Sequence, residues 1–518
     1  MTQITQLLRA AVRSAPARVA TDHAGRRQDW RAFEARVARL AGGLAALGLK
    51  PGDRVAVLAL NSDRYLEAMF ACPWGGFVVV PINTRLAPAE IAFWLEDSEA
   101  SALLVDENFA EVAATLKLPH LRNLIFMGEG ATPAGMRDFE ALVAQATPAP
   151  DARASGDDLA ALFYTGGTTG RSKGVMLSHR NIVANALNTA PALGDGEDTV
   201  YLHAAPMFHA ADNAVNFVVT AQGGTHLFMP RFEPGAFLRL VAQKRITATL
   251  IVPTMINMIV NHPDVEATDT SSLKRVIYGA SPMPEAVIRR AFAALPHTRF
   301  VQAYGQSEAA PCMTFLMADW HALEGPRAAK LKSAGRAAMG CEVVVMGPDD
   351  REAARGEVGE ICGRGDNVML GYWRQPELTA KAVRGGWLHT GDGGYMDEDG
   401  FIFVVDRMKD MIVSGGENVY SAEVEQAIYK HPAVAECAVI GVPDPKWGEA
   451  VRAVVRLKPG QAASEAELVA HCHALIAGYK CPRGVTFREE TLPLSGAGKI
   501  LKTELRKPFW EGRDRAVN

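Results

Sequence analysis

A chain of 518 residues, 48% hydrophobic and 22% charged with a net charge of −4, is long enough for two or more self-sufficient domains and has no basic excess to draw it to nucleic acid. Its seven cysteines are scattered, odd in number and without a C-x-x-C pair, which fits reduced thiols in a cytoplasm better than a disulfide framework or a zinc site. No apolar run approaches the roughly 18 residues needed to span a bilayer, so no transmembrane segment is expected.

At the N-terminus, Ile4, Leu7, Leu8 and Val12 share one face of a first helix, although Arg9, Arg13 and Arg18 give it a superficial likeness to a transit peptide. Phe33, Val37, Leu40, Leu44 and Leu47 repeat at three and four and predict a second helix, ended by Gly48 before the turn Pro51-Gly52-Asp53. Buried strands are predicted over 55–60, 77–81 and 102–105, with helices over 65–71 and 88–97. Such alternation implies parallel sheets covered by helices. The segment 128–158, rich in Ala, Pro, Gly and Asp, reads as a separator. A second α/β lobe follows, with strands over 159–164, 248–252, 275–278 and 299–303 and helices over 178–189 and 284–295.

From about 333 to 405 the pattern changes to short strands and Gly/Asp turns, predicting a small β-rich subdomain. Beyond Asp406 comes a compact module, with helices over 421–430 and 463–476 and strands over 434–441 and 450–457. His471-Cys472-His473 lies in the last of these helices, where adjacent side chains diverge, so it reads as helix surface and core rather than a metal site. The fold class is therefore α/β: a large N-terminal domain of two lobes with parallel-rich sheets and a β-rich subdomain, then a smaller mobile α+β C-terminal domain. Boundaries are expected at 1–405, with a hinge at 406–410 and the second domain over 411–518.

The most informative stretch is Thr165-Gly166-Gly167-Thr168-Thr169-Gly170-Arg171-Ser172-Lys173-Gly174. An apolar strand feeds it, and Ser178 is placed to cap a following helix. Glycines let backbone N–H groups converge on oxyanions, hydroxyls donate further hydrogen bonds and the cations offset charge, so the loop reads as a phosphate cradle. Its spacing differs from the ATPase loop G-x-x-x-x-G-K-[ST]. Four other segments carry suitable chemistry. Tyr304-Gly305-Gln306-Ser307-Glu308 offers a ring, a hydroxyl and a hard oxygen ligand for Mg²⁺. Thr390-Gly391-Asp392 puts a carboxylate where a ribose could be bound. The run 406–418 ends in a Gly pair, and Ser495–Lys499 presents one Lys at the tip of a loop.

Together and in this order, these segments, with Pro206-Met207-Phe208-His209, resemble the adenylate-forming superfamily of acyl-CoA synthetases, aryl-CoA ligases, luciferases and adenylation domains, and within it the acyl-CoA synthetase branch. The likeness runs from GLKPGDRVAVL at 48–58 to the C-terminal Lys loop.

The resemblance implies an ATP- and Mg²⁺-dependent carboxylic acid–CoA ligase that forms an acyl-adenylate, releases pyrophosphate and passes the acyl group to CoA. On this likeness Thr165, Gly166, Gly167, Thr168, Thr169, Gly170, Ser172 and Lys173 grip the phosphates. Gly279, Ala280, Ser281, Tyr304 and Gly305 frame adenine, Ser307 donates to phosphate, and Asp392 and Arg407 hold the ribose. Glu308, with Thr169, holds Mg²⁺; Lys409 is the hinge; Lys499 stabilises charge as the acid attacks. Gly415, Gly416 and His209 line the thiol tunnel, with His209 also a catalytic candidate.

The implied acyl pocket is Ala210, Ala211, Val215, Met255, Ala280, Ala303, Cys312 and Met313. Those side chains suit a hydrophobic monocarboxylic acid, first a medium- or long-chain fatty acid, second an aryl, arylalkanoic or hydroxycinnamic acid. Hydroxycinnamate ligases share PMFH and the Met229–Glu233 texture, but Ala211 stands where they often carry an aromatic residue. Asp212, Asn213 and Asn216 read either as surface or as a polar end to the pocket. Other outcomes of the same chemistry are transfer to a carrier protein or oxidation with light, and a different class is a non-catalytic nucleotide-binding protein. A homodimer is a further expectation.

Overall fold

The computed structural model describes residues 2–165, 172–194, 196, 198–281, 283–407, 410–414, 417–495 and 499–511, the side chains of Asp406, Arg407 and Asn418 excepted. Among the described residues the strands form four sheets, two large and mostly parallel, two small and mostly antiparallel.

The eight-stranded sheet runs Gly371–Tyr372, Lys173–Ser178, Leu159–Thr165, Val78–Pro81, Arg54–Leu58, Ala100–Val105, Asn123–Phe126, Arg137–Asp138. The nine-stranded sheet runs Arg336–Ala337, Cys312–Leu316, Arg299–Gly305, Arg275–Gly279, Ala248–Ile251, Val200–His203, Thr225–Phe228, Val19–His23, Arg26–Asp29. Neighbours from Leu159–Thr165 onward in the first, and from Arg299–Gly305 to Val19–His23 in the second, pair in parallel. Their strands are apolar on both faces, as helices on either side require: Val78–Pro81 and Ala100–Val105 are buried at every residue.

Caps fix where helices begin. Asp29 accepts from Ala32 N–H at the start of Trp30–Ala46, and Ser62 accepts from Tyr65 N–H at the start of Asp63–Gly75, which ends at Gly76 with φ +73°.

The third sheet pairs Cys341–Met346, Gly359–Gly365, Trp387–Met396 and Val383–Arg384, with Ile402–Arg407 alongside Trp387–Met396. The fourth, Glu417–Val419, Ile412–Ser414, Gly448–Leu457, Val434–Asp444 and Gly484–Phe487, packs Ser421–Tyr429 and Glu465–His473 over a core that includes Ile412, Val424, Ile428, Val451 and Leu468. The mixed α/β class read from the sequence holds.

Three local expectations do not. The two large sheets exchange strands between the predicted lobes: Val19–His23 and Arg26–Asp29 join the second sheet, Leu159–Thr165 the first. The segment 128–158 is no mere separator, since Arg137–Asp138 closes the first sheet and Phe139–Gln145, capped by Asp138, packs beside it. And the phosphate-cradle segment does not open onto a helix. Lys173–Ser178 returns antiparallel to Leu159–Thr165, so the loop joins a hairpin, and Ser178 caps the helix His179–Leu193 only afterwards. Val175 and Leu177 are buried on the return strand, which is why this apolar run pairs rather than coils.

The helices Trp30–Ala46 and Asp63–Gly75 enclose a charged cluster. Glu67 is fully buried and accepts from Arg36 Nε at 2.7 Å, Arg36 Nη2 at 3.0 Å and Gln28 Nε2 at 2.9 Å. Removing the guanidinium would leave a buried carboxylate without its counter-charge, a loss of about 3 kcal/mol for such a pair. We expect Arg36→Ala to lower the unfolding free energy by that amount, read as a lower denaturant midpoint with the m-value unchanged, and Glu67→Gln in the same background to recover part of it.

Candidate active site

Parallel sheets place loops with free N–H groups and side chains beyond their carboxyl ends, most openly where strand order reverses. In the nine-stranded sheet the reversal falls at Val200–His203, flanked by Thr225–Phe228 and Ala248–Ile251; in the eight-stranded sheet it falls at Arg54–Leu58. The segments singled out in the sequence leave these same edges. Thr165 ends one strand, Gly279-Ala280-Ser281 and Tyr304-Gly305 end two others, and His209 follows Val200–His203 as the N-cap residue of Ala210–Ala221.

Two backbones touch where adenine is expected. A Cβ on Gly279 would stand 2.1 Å from the Ala303 carbonyl, and one on Gly305, at φ +156°, 1.9 Å from the Pro311 carbonyl. Only glycine fits at either point. Ala280 takes φ +68°, a left-handed conformation that is strained for a residue with a side chain.

Tyr304 and Asp392, predicted to act separately, are joined: the Tyr304 hydroxyl donates to Asp392 Oδ2 at 2.8 Å. Strand pairing sets Asp392 opposite Arg407, so the two residues assigned to one sugar are cross-strand neighbours.

Glu308, 9% exposed in the short helix Ser307–Ala309, accepts from the Tyr372 hydroxyl at 2.8 Å, and Lys173 Nζ lies 5.2 Å from the centre of the Tyr372 ring. Burial first, then the Glu308 carboxylate, push the Tyr372 phenol well above its ordinary value, so it remains a proton donor. Among the described residues no ion pair engages Glu308. A mostly buried carboxylate that accepts from one neutral donor has oxygen lone pairs left for a cation. Tyr372 went unnoticed in the sequence; it lies on the strand that pairs with Lys173–Ser178, and nothing local reveals that pairing.

On the acyl side Ala210, Val215, Cys312 and Met313 are buried in one cluster, with Ala211 and Ala303 packed against it, whereas Met255 and Ala280 belong to a second cluster. That first cluster is the main hydrophobic core, running from Ile4 to Ile402, so shared membership by itself does not make these residues one pocket wall. Asp212, Asn213 and Asn216 are not surface: all three are buried. Asp212 Oδ1 accepts from Tyr201 at 2.9 Å and its Oδ2 meets His203 Nδ1 at 2.7 Å. His203 Nε2 then contacts His226 Nδ1 at 2.9 Å, and His226 Nε2 contacts Thr220 Oγ1 at 3.2 Å. This closed polar chain fastens the helix that begins at His209 onto its sheet.

Sequence reasoning missed Asn61 altogether. It follows Arg54–Leu58 and is 4% exposed; its Nδ2 donates to the carbonyls of His203 (3.0 Å) and Ala205 (2.8 Å), and its Oδ1 accepts from Met207 N–H at 2.8 Å. One carboxamide therefore ties the reversal point of one sheet to the His209 loop of the other.

The C-terminal lysine loop reaches the same edge. Ser495 O accepts from Arg85 Nη1 at 2.9 Å, and Arg85 follows Val78–Pro81 at its carboxyl end. Lys499 closes the loop through Ser495, its N–H donating to Ser495 Oγ at 3.1 Å. Gly166, Gly167, Thr168, Thr169, Gly170, Lys409, Gly415, Gly416 and the Arg407 side chain lie outside the described residues.

Two family models cover most of the chain. The AMP-binding enzyme model matches residues 8–373, and the AMP-binding enzyme C-terminal domain matches residues 423–499. The chain belongs to the AMP-binding enzyme family. It is 43% identical over 498 residues to a feruloyl-CoA synthase from an Amycolatopsis species, covering 96% of this chain and 97% of that one. It is 37% identical over 495 residues to the medium/long-chain-fatty-acid–CoA ligase FadD8 of Mycobacterium tuberculosis, covering 91% and 84%. Its fold superposes on o-succinylbenzoate CoA synthetase (MenE) of Bacillus subtilis, solved with the acyl-adenylate OSB-AMP, with a TM-score of 0.83 at 30% identity over 96% and 97% of the two chains.

This AMP-binding enzyme is an AMP-forming acid–thiol ligase of the acyl-CoA synthetase branch, using ATP, CoA and a small-molecule acid. No helix among the described residues is long and apolar enough to cross a membrane.

The Asn61 tie generates a test. Asn61→Ala leaves the Ala205 carbonyl and the Met207 N–H short of a partner, while the His203 carbonyl keeps the Met229 N–H, at about 1–3 kcal/mol. We expect kcat/KM for the acid to fall at least tenfold while KM for ATP moves less than threefold, measured by AMP release with CoA in excess.

Proposed function

We propose that this enzyme joins a hydroxycinnamate-class acid, ferulate or a close analogue, to CoA through an acyl-adenylate. The observation that carries this reading is Asn185. It is 1% exposed on the helix His179–Leu193, its Oδ1 accepts from the backbone N–H of the wall residue Cys312 at 2.9 Å, and its Nδ2 is buried without a partner among the described residues. We assign this Nδ2 to the acyl side of Cys312, where a buried donor costs free energy against an alkyl tail and gains it against a ring oxygen. The similarity to feruloyl-CoA synthase points the same way. A medium- or long-chain fatty acid, the first expectation from the sequence, is the second reading; similarity to FadD8 and the apolar cluster around Val215 and Met313 favour it.

Adenylation brings two anions together, so a cation that meets the reacting oxygens mainly in the transition state accelerates it most. Lys499 is assigned that role. Its loop lies against Arg85 at the sheet edge, and a division at 1–405, 406–410 and 411–518 makes the contact removable when the C-terminal domain turns about Lys409. Thr165, Ser172 and Lys173 are assigned to the phosphates, Tyr304 and Asp392 to the nucleoside, and His209 to the meeting point of acyl group and thiol. Glu308 suits Mg²⁺, with Thr169 as second ligand; bound there, the ion would offset phosphate charge. A cytoplasmic location and a homodimer complete the reading.

Two measurements test it. Ferulate should exceed both unsubstituted cinnamate and palmitate in kcat/KM by about tenfold or more, and Asn185→Leu should abolish the preference over cinnamate; equal values for ferulate and cinnamate in the wild type would overturn the assignment of Asn185. Lys499→Ala should lower acid-dependent pyrophosphate exchange by 10²-fold or more, on the order seen for removal of one such electrostatic donor. The same variant should still transfer the acyl group from a supplied acyl-adenylate to CoA, and equal loss in both assays would count against the role.

A further inference from the structure

Cys362 and His389 are 27 positions apart, yet they are direct partners in the antiparallel pairing of Gly359–Gly365 with Trp387–Met396. Glu360, two residues before Cys362 on the same strand, shares its face. Three donor atoms of different kinds converge there. Cys362 Sγ lies 3.3 Å from His389 Nδ1, and Glu360 Oε2 lies 2.8 Å from that same nitrogen. All three ligand atoms fall within 4.8 Å of one another. The thiol is fully buried, the imidazole side chain is 4% exposed and the carboxylate 24%, so the cluster sits just below the surface with the carboxylate at its mouth.

One ring nitrogen cannot satisfy both neighbours in full. When protonated, Nδ1 donates to Glu360 and presents the thiol with an N–H. When unprotonated, it accepts from the thiol and turns a lone pair on the carboxylate. The imidazolium has the same limit, because Nδ1 carries a single hydrogen. A cation placed between the three atoms removes the conflict, since each then offers it a lone pair.

We propose that Cys362, His389 and Glu360 bind a borderline-soft divalent cation of the zinc class, with water as the fourth ligand. Sulfur and nitrogen donors select this class over Mg²⁺ and Ca²⁺, which take oxygen. Bonds of about 2.0–2.3 Å in a tetrahedron set donor separations of about 3.3–3.6 Å; the two contacts to His389 Nδ1 therefore open by roughly half an ångström or less, and the Glu360 carboxylate, within 4.8 Å of the sulfur, turns inward toward Cys362. The ion enters past Glu360, the thiol proton leaves to water as sulfur becomes a thiolate ligand, and no oxidation is involved. Arg384 Nη2 stands 3.6 Å from Glu360 Oε2, but its guanidinium is already held by Asp350 at 3.0 and 3.1 Å, so it remains paired when the carboxylate turns to the ion.

Occupancy acts on the nucleotide end. Glu360 Oε1 accepts from Gly391 N–H at 2.9 Å, and Thr390 Oγ1 donates to the Ile361 carbonyl at 2.6 Å. The turn that presents Asp392 to Tyr304 is thus anchored on two consecutive residues of the same strand. An ion that draws Glu360 inward loosens the first anchor, so the site is a brake on ATP use.

The test titrates the full chain with Co²⁺ alone, then with Zn²⁺ as competitor. One equivalent of Co²⁺ should bind with a thiolate charge-transfer band and the intense visible bands of tetrahedral cobalt. Cys362→Ser should remove the charge-transfer band, and Glu360→Gln should weaken binding about tenfold. Enzyme loaded with one equivalent of Zn²⁺ and freed of excess should show a severalfold higher KM for ATP, an effect absent from Cys362→Ser. No thiolate band in the wild type would overturn the site, as would a band that survives Cys362→Ser. If the serine variant melts early, unweakened binding by Glu360→Gln overturns it instead. Binding without a change in KM for ATP would keep the site and overturn the brake.

Discussion

The tie made by Asn61 is the constraint on which the cleft depends. Two parallel sheets, each with its own reversal of strand order, can form one site only if their carboxyl edges are held at a fixed offset. Apolar packing between helices would tolerate small slips, because it has no direction. A buried carboxamide that spends its donors and its acceptor on the other sheet's loop does not, since any slip strands a polar group away from water. The chain Tyr201–Asp212–His203–His226–Thr220 performs the same service one layer deeper, anchoring the helix that starts at His209 to the strands beneath it.

A row of asparagines does likewise for the β-rich subdomain. Asn181, Asn185 and Asn188 lie on one face of His179–Leu193 at spacings of four and three. Asn181 donates to the Asp366 and Val368 carbonyls, Asn185 accepts from Cys312, and Asn188 accepts from Gly340. Helices seldom favour asparagine in their interiors, so such a row has to be justified by what it touches. Asn181 and Asn188 dock backbone of the β-rich subdomain that lies outside its strands, and Asn185 holds the first N–H of the strand Cys312–Leu316 in the nine-stranded sheet.

Much of this was legible in the chain, for a physical reason. Alternating apolar runs of four to six residues and periodic helices report burial, which is local, and the α/β class follows from them. Motifs such as Tyr304–Glu308 and Thr390–Asp392 could be read because the chemistry of each is carried by adjacent residues. What escaped is whatever depends on pairing at long range. The return strand Lys173–Ser178 is hidden because a Gly-rich turn before a capping Ser has the same texture whether a strand intervenes or not. Strand exchange between the two large sheets, the contact of Tyr372 with Glu308, and Asn61 are invisible for the same reason. Asp212 and Asn213 show the converse limit: polar residues at helical spacing look like surface until the partners that bury them are known.

The way the site carries charge separates groups that orient from groups that neutralise. Each of the two carboxylates assigned to the nucleotide end accepts from a tyrosine hydroxyl, Glu308 from Tyr372 and Asp392 from Tyr304. An arginine in place of Tyr372 would orient Glu308 equally well, but it would commit a cation to the carboxylate before any ligand arrived, and the buried pair would resist being broken. At Glu308 a phenol fixes geometry through one neutral hydrogen bond and commits no cation to it. Lys173 stands over the Tyr372 ring and Arg85 against the Ser495 carbonyl, where a cation can meet an anion without first leaving a carboxylate. A reaction that condenses two anions needs this order, because positive charge already committed in the resting protein cannot be gained again in the transition state.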